Sequence, residues 1–190
     1  FWPPRVYKYL KPAVDLLAGI PSIVYGFFGM VVIVPIMRDL FGGNGKSVLT
    51  ASILLGIMIL PTLISVGEAS IRAVPESYYE GALALGATPE ETVFKVMLPA
   101  AKSGLTAGVI LAIDRSIGEA MAVSMVAGNQ PVIPESLLSG VRTLTANVVL
   151  EMGYAQDLHR EALIATAVVL FVFILLINIS FSLLKRRDET

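Results

Sequence analysis

Four stretches of mostly apolar residues, each long enough to cross a bilayer, constrain the fold of this 190-residue chain most strongly. A helix needs about 20 such residues to span the hydrocarbon core. The predicted spans cover residues 13–37, 48–70, 103–127 and 163–184. The sequence therefore predicts an all-α membrane protein, a polytopic helical bundle whose single transmembrane domain covers residues 1–190.

The composition supports a membrane environment and excludes several other classes. Hydrophobic residues make up 55% of the chain and charged residues 15%, whereas soluble domains carry about 25% charged residues. The net charge of −1 offers no basic surface for nucleic acid. Because the chain has no cysteine and a single histidine, His159, we expect neither disulfides nor a metal site.

Polar residues, glycines and prolines interrupt three of the four predicted spans, and only the fourth is a continuous apolar run. Such interruptions persist in a membrane where neighbouring helices or a water-lined path satisfy them. We therefore expect helices packed around a path and not isolated anchors. The interrupting residues are Gly19, Pro21, Pro61, Glu68, Asp114, Arg115 and Glu119.

The distribution of Lys and Arg predicts the orientation of the chain. If both ends and the segment 71–102 are cytoplasmic, that side holds nine of these residues and the opposite side holds four, with Arg115 inside the membrane. Cytoplasmic loops carry the excess of positive charge. The segment 71–102 is therefore predicted to be cytoplasmic, and the segment 128–160 is predicted to lie outside.

The segment 71–102 has the pattern of two short helices with a break between them. Pro75 fits the first turn of the first helix, where a missing amide proton costs nothing. Gly86 lets the chain turn sharply out of that helix. Thr88 fits the N-cap of the second helix, and Pro89 fits its first position. An ordinary surface hairpin of helices is the structural alternative to a functional role.

This segment resembles the EAA loop of ABC-importer permeases. The pattern is Glu-x-Ala, three residues, Gly, nine residues, and then an aliphatic residue, any residue and Leu-Pro. The resemblance implies a short cytoplasmic helix that docks into a cleft on the ATPase subunit. The residues in register are Glu80, Ala82, Gly86, Val96, Leu98 and Pro99, with Gly81 in place of the usual first alanine.

The third predicted span carries three charges. An arginine near the middle of a span costs about 2.5–3.5 kcal/mol on insertion scales, so Arg115 should face a cavity or a partner. Glu119 follows by four residues and can share its helix face, whereas Asp114 points about 100° away. Either Arg115 and Glu119 neutralise each other in a packed bundle, or Arg115 lines an anion path with Ser116 as a neutral donor.

Three further stretches resemble the phosphate-importer permease family of the PstC type. They are residues 17–26, residues 115–123 (Arg-Ser-Ile-Gly-Glu-Ala-Met-Ala-Val) and residues 125–129 (Met-Val-Ala-Gly-Asn). The stretch from Thr143 to Gly153 is also similar. The resemblance implies a type I ABC-importer permease fold and a substrate path for phosphate that contains Arg115 and Glu119.

The same resemblance implies partners and a location. These are a second permease subunit of the PstA type, an ATP-binding cassette ATPase dimer and a periplasmic phosphate-binding protein. We expect a multi-pass protein of the bacterial inner membrane with both ends cytoplasmic. It would not be an enzyme, and it would bind no cofactor, because ATP and Mg would bind the partner ATPase.

Alternatives remain open, and the chain departs from the family pattern in two ways. A permease for another oxyanion, such as molybdate or sulfate, is the nearest alternative. An intramembrane enzyme and a passive scaffold are more distant ones. Family members carry about two more spans before Phe1, so we expect a C-terminal portion. Asp114 stands where glycine is more usual, and the role of its carboxylate is open.

The predicted outer loop, residues 128–160, is longer than a connection requires. Pro131 and Pro134 predict an irregular start, and the apolar spacing from Leu137 to Met152 predicts an amphipathic helix at the membrane surface. Two interpretations fit equally well. The loop either forms part of a docking face for a periplasmic binding protein or packs as a lid over the bundle.

Overall fold

The structure is a computed structural model that describes residues 4–188, with side chains for residues 6–183. Residues 1–3 and 189–190, which belong to the two ends predicted to be cytoplasmic, lie outside the described residues. Within the described part, regular structure is helical apart from one isolated β-bridge between Gly128 and Val141. In chain order the helices are α1 (Pro4–Gly19), α2 (Ser22–Phe41), α3 (Val48–Arg72), α4 (Glu76–Ala84), α5 (Pro89–Ala100), α6 (Lys102–Gly118), α7 (Met121–Val126), α8 (Leu144–Glu151) and α9 (Asp157–Asp188).

Among the described residues, three helices are long and apolar enough to cross a membrane, namely α2, α3 and the Asp157–Leu183 part of α9. The pair of α5 and α6, which is bent by 66°, counts as a fourth candidate if it forms one span. The predicted all-α, multi-span fold class is therefore confirmed. The bounds of α3 agree with the predicted span 48–70, and α9 contains the predicted span 163–184.

The first predicted span, residues 13–37, differs from the structure because the helix is interrupted at residues 20–21. α1 ends at Gly19, and α2 begins after Pro21, whose backbone is extended (φ −59°, ψ 141°). Proline lacks the amide proton that a continuous helix needs. The hydroxyl of Tyr25 donates to the carbonyl of Leu17 at 2.9 Å across this break, so the apolar helix is Ser22–Phe41 and the corner that precedes it is fixed.

Two of the helices contain a wide π-helical turn before a proline. The turn Gly29–Ile33 precedes Pro35 in α2, and the turn Val93–Met97 precedes Pro99 in α5. A proline ring collides with the carbonyl four residues earlier and offers it no hydrogen bond. Widening the turn accommodates both effects without ending the helix.

The core lies between α2, α3 and α7. Leu54 and Met58 of α3 and Val126 of α7 are almost completely buried there. A Cβ atom added at Gly26 of α2 would lie 2.8 Å from the sulfur of Met125 and 2.9 Å from Cα of Ala122. Because lipid is as apolar as these side chains, such close backbone packing, and not the hydrophobic effect, holds membrane helices together.

The glycines of α6 create a second close contact, with α3. A Cβ at Gly104 would lie 2.6 Å from the hydroxyl of Ser70, and one at Gly108 would lie 2.9 Å from Val66. Glycines four residues apart allow two helix backbones to approach closely. Gly104 and Gly108 therefore serve helix packing.

The connection between α7 and α8, residues 127–143, is irregular and closes over the start of α3. The amides of Val48 and Leu49 donate to the carbonyls of Ser139 (3.0 Å) and Leu137 (2.8 Å). The predicted helix from Leu137 to Met152 is wrong over its first seven residues, and α8 begins only at Leu144. The carbonyls of residues 137 and 139 satisfy the first amides of α3, which have no acceptor within their own helix.

Candidate functional site

The segment formed by α4 and α5, residues 76–100, has the predicted helix, break and helix. Gly86 adopts φ +89° between the two helices. The Thr88 hydroxyl accepts from the Glu91 amide, and the Glu91 carboxylate accepts from the Thr88 amide, each at 3.2 Å. This capping box confirms Thr88 as the N-cap. Pro75, predicted within the first turn of α4, is instead its N-cap.

One pair of charges on the α4–α5 segment lies within α5. Nζ of Lys95 lies 2.9 Å from a carboxylate oxygen of Glu91. This ammonium, together with the amide of Thr88, holds the pKa of Glu91 below its usual value. This contact stabilises the first turns of α5 locally.

Apolar side chains on the same segment remain uncovered. Leu85 is 91% exposed and Phe94 is 71% exposed. Exposed patches of large apolar side chains are typical of binding surfaces. The sequence analysis did not single out Phe94. The available signal was an aromatic residue among charged ones. The predicted ATPase-coupling residues are exposed or half-buried, and they are Glu80, Gly81, Ala82, Gly86, Leu98 and Pro99.

A cavity of about 680 Å³ lies where the α4–α5 segment joins the membrane helices. It opens between the end of α3, the start of α4 and the junction of α5 with α6. Tyr78 of α4 and Gly104 of α6 are among the residues that line it. The base of α4 is therefore not closely packed against the ends of α3 and α6.

The third predicted span, residues 103–127, is broken at its charged motif. α6 ends at Gly118, Glu119 is extended (φ −73°, ψ 121°), and α7 begins at Met121. One carboxylate oxygen of Glu119 accepts from the amide of Ala122 at 3.0 Å. Glu119 thus caps the start of α7, where a carboxylate complements the helix dipole.

Arg115 points to α3 and not to Glu119. Its Nη1 donates to the hydroxyl of Thr62 at 3.0 Å, and among the described side chains no ion pair joins Arg115 to Glu119. The expectation that the two share one helix face is wrong, because α6 ends between them. The simple neutralisation of one charge by the other therefore does not describe this arrangement.

A second cavity, of about 310 Å³, lies between α3, α6, α8 and α9. Two predicted path residues, Ser116 and Glu119, line it, whereas Arg115 and Asp114 are not among its lining residues. The other polar residues that line it were missed from the sequence because only the fold brings them to this place, and they are Ser52, Thr143 and Thr145.

Asp114 carries a buried carboxylate oxygen, Oδ1, without a hydrogen-bond partner among the described residues. Leaving such an atom unsatisfied costs about 1–3 kcal/mol, and more when the group is charged. Among the described residues, Oδ1 of Asn129 is the other buried side-chain oxygen without a partner.

The α7–α8 connection is fixed to α8 by a polar network. Nη1 of Arg142 lies 2.7 Å from a carboxylate oxygen of Glu151, and its Nε donates to the carbonyl of Asn129 at 3.1 Å. The hydroxyl of Tyr154 and the guanidinium of Arg142 lower the pKa of Glu151. Arg142 is thus engaged within the chain, which favours neither the docking face nor the lid interpretation.

Comparison with known proteins gives consistent matches over nearly the whole chain. The family model described as binding-protein-dependent transport system inner membrane component matches residues 1–188. A probable ABC transporter permease protein of Bacillus subtilis, YqgH, is 43% identical over 90% of this chain. Phosphate transport system permease proteins PstC are similar as well, at 36% identity over 84% of this chain in Xylella fastidiosa. A probable PstC of Methanocaldococcus jannaschii is 34% identical over 93% of it.

The chain spans somewhat more than half the length of these relatives, namely 58%, 56% and 62%. Among solved structures, a chain of the MetNI methionine ABC transporter in an inward-facing conformation is similar, with a TM-score of 0.74 at 21% identity. The match covers 96% of this chain and 76% of that one. At this identity the similarity supports the fold alone.

Proposed function

The chain belongs to the family of binding-protein-dependent transport system inner membrane components. We propose that it contributes to the membrane permease through which an ATP-driven importer moves inorganic phosphate. The observation that carries the proposal is the 36% identity with a phosphate transport permease over 84% of the chain. The relatives named here are permease proteins, and this chain is accordingly a transport subunit and not an enzyme.

The charged motif at the α6–α7 break supports a path for a polar solute. Glu119 and Ser116 line the cavity of about 310 Å³, and Arg115 reaches a hydroxyl on α3 instead of a carboxylate. A guanidinium that is held by a neutral partner keeps its charge and donors available for an oxyanion. Asp114, with its unsatisfied oxygen, completes the proposed set of path residues.

The exposed α4–α5 segment supports the proposed partners. An ATP-binding cassette ATPase dimer would bind the surface that includes Leu85 and Phe94. ATP and Mg would bind to that ATPase and not to this chain. A second permease of the PstA type and a periplasmic phosphate-binding protein complete the importer. The subunit lies in the bacterial inner membrane, with both ends and the α4–α5 segment in the cytoplasm.

A permease for molybdate or sulfate is the second candidate, because a guanidinium also binds those oxyanions. It is less favoured, since the relatives whose names state a cargo state phosphate.

The test is uptake of radiolabelled phosphate by vesicles that contain the full-length permease with its partner subunits and carry Arg115→Lys. Lysine keeps the charge but loses the planar pair of donors. We expect uptake to fall by about tenfold, which corresponds to about 1.4 kcal/mol. Sulfate and molybdate, added as competitors, should not reduce the wild-type uptake.

Arg38→Lys is the matched control. Arg38 is an exposed arginine near the end of α2 and forms an ion pair with its neighbour Asp39, so this variant should transport at the wild-type rate. Wild-type uptake in the Arg115→Lys vesicles would contradict the role of Arg115. Wild-type uptake of sulfate or molybdate in place of phosphate would favour the second candidate.

A further inference from the structure

Glu68 lies one helical turn before the end of α3, and donors from two helices share its carboxylate. Oε1 accepts from the hydroxyl of Tyr7 in α1 and from Nε of Arg72 at 2.8 Å. Oε2 lies 3.0 Å from Nζ of Lys11 in α1. Nη2 of Arg72 in turn donates to the Tyr7 hydroxyl at 3.0 Å. We name these four residues the α1–α3 cluster.

The α1–α3 cluster joins two helices, whereas some other ion pairs among the described residues lie within a single helix. The pair of Glu91 and Lys95 joins residues of one helical stretch, and exposed pairs of that kind contribute about 0.2–1 kcal/mol or less. The side chain of Glu68 is only 22% exposed. It joins two separate helices through two of its partners, so its geometry constrains the position of α1.

The cluster also lies close to the α4–α5 segment. Arg72 is the last residue of α3, and only residues 73–75 separate it from α4. The cavity of about 680 Å³ lies at this junction. The end of α3 to which Glu68 and Arg72 belong is therefore the part of the membrane helices that directly precedes α4 in the chain.

Beyond the cluster, the contacts continue into the core. The hydroxyl of Tyr25 in α2 ties the end of α1 through the carbonyl of Leu17. Gly26 of α2 packs directly on the backbone of Ala122, the residue whose amide Glu119 caps. The end of α3, α1, α2 and the α6–α7 break thus form one continuous set of contacts.

We propose that Glu68 is a positioning residue for transport, because the α1–α3 cluster makes α1 move together with the end of α3. In this way a displacement of α4 by the ATPase reaches α2 and the break at Glu119. The inference rests on the proposed function, since it assumes that an ATPase acts on α4. Spatial continuity alone does not establish such coupling, so the experiment measures the coupling itself.

The test compares solute uptake with ATP hydrolysis in the same vesicles, which contain the full-length permease carrying Glu68→Gln and its partner subunits. Glutamine keeps the size of the side chain and removes its charge. We expect the complex to assemble normally and the uptake per ATP hydrolysed to fall by at least about fivefold, the lower end of typical coupling effects. Asp39→Asn is the matched control, because it breaks an ion pair that lies outside both the cluster and the α4–α5 segment, and it should keep the wild-type ratio.

A covalent link provides the rescue. The 190 residues contain no cysteine, so Lys11→Cys combined with Glu68→Cys introduces the only two thiols of this stretch. Without cross-linker, this double variant should behave like Glu68→Gln. Joined by a short thiol-reactive cross-linker, it should recover the wild-type uptake per ATP, because α1 and α3 are tied again.

Two results would overturn the role of Glu68. One is a loss of uptake and hydrolysis in equal proportion in Glu68→Gln, which a purely structural role produces. The other is a failure of the formed cross-link to restore the ratio. A wild-type complex that hydrolyses ATP without phosphate uptake contradicts the proposed cargo instead. The cluster is then tested by the dependence of hydrolysis on the binding protein, which Glu68→Gln should weaken and Asp39→Asn should not.

Discussion

Apolar side chains are buried in the core between α2, α3 and α7, but they are exposed in the α4–α5 segment. In the core, Leu54 and Met58 are almost fully buried, and backbones approach closely at Gly26. In the α4–α5 segment, by contrast, α4 has no buried residue, and Leu85 and Phe94 are largely exposed. Both regions are helical, so secondary structure does not explain the difference.

The difference indicates that residues of this chain bury the core side chains, whereas the α4–α5 segment leaves apolar side chains uncovered. Close packing in the core relies on contacts between residues of the chain itself. The helices of the α4–α5 segment are stabilised locally, by the capping box at Thr88 and the pair of Glu91 and Lys95, while their apolar side chains stay free for a partner. Substitutions in the two regions should therefore affect different measurements.

The largest expected effect is on the stability of the core, from Gly26→Ala. The added Cβ lies within 3 Å of the Ala122 backbone, which cannot move away without disturbing α7. Overpacking of this kind costs about 1–3 kcal/mol. Thermal unfolding of the full-length permease in detergent should show a lowered midpoint.

Gly56→Ala in α3 is the control for this prediction, because a Cβ at Gly56 meets no atom within 4 Å. Alanine is also the better helix former, so the control should be neutral or slightly stabilising. Equal midpoints for the two variants would contradict the interpretation that the α2–α7 contact requires a glycine.

A smaller effect, and one on binding instead of stability, is expected from Leu85→Ser. Removing an exposed apolar anchor from a binding surface costs about 2 kcal/mol when the residue is a hot spot. Copurification of the ATPase with the permease should fall, while the unfolding midpoint stays unchanged. Ile133→Ser is the matched control, since Ile133 is also 91% exposed but lies in the α7–α8 connection. If Ile133→Ser releases the ATPase and Leu85→Ser does not, the proposed orientation is reversed.

The smallest effect concerns pH and the network around Glu151, which lies outside both regions. Tyr154 and Arg142 depress the pKa of Glu151 below 4.5. The ionised form therefore contributes stability above pH 4.5, and this contribution is lost as the pH falls through the folded-state pKa. The unfolding midpoint of the wild type should fall more on acidification than that of Glu151→Gln.

Glu135→Gln is the control for the pH dependence, because no ion pair of Glu135 occurs among the described residues. It should follow the wild-type curve. If Glu151→Gln and the wild type lose stability in parallel below pH 4.5, the network does not stabilise the folded state through the charge of Glu151.

Local sequence signals predicted the helices best where the chain itself supplies the start and stop. Thr88, Pro89 and Gly86 act through neighbouring backbone groups, so the capping box and the turn followed from the sequence. The apolar runs of α3 and α9 were equally clear, because hydropathy depends on composition and not on neighbours. The predicted helix from residue 137 failed because α3, far away in sequence, takes the carbonyls of residues 137 and 139.

The candidate site was predictable only in part for the same reason. The sequence singled out Asp114, Arg115, Ser116 and Glu119 as polar groups in an apolar stretch. It placed Arg115 and Glu119 on one face because it assumed an unbroken helix, which ends at Gly118. Glu68 could be recognised as an interruption of α3, but its partners in α1 lie about sixty residues earlier, beyond any local pattern.

The sequence by itself determined that this chain is a bundle of apolar helices with an exposed, locally capped segment and a charged motif in its third hydrophobic stretch. These features depend on composition and on residues within one or two helical turns of each other. The tertiary structure decided that Glu119 caps α7, that Arg115 meets Thr62, and that Glu68 joins α1 to α3. Such pairings depend on the distance and the orientation at which two helices pack. Small residues at the helix contacts, such as Gly26 and Gly104, set that distance.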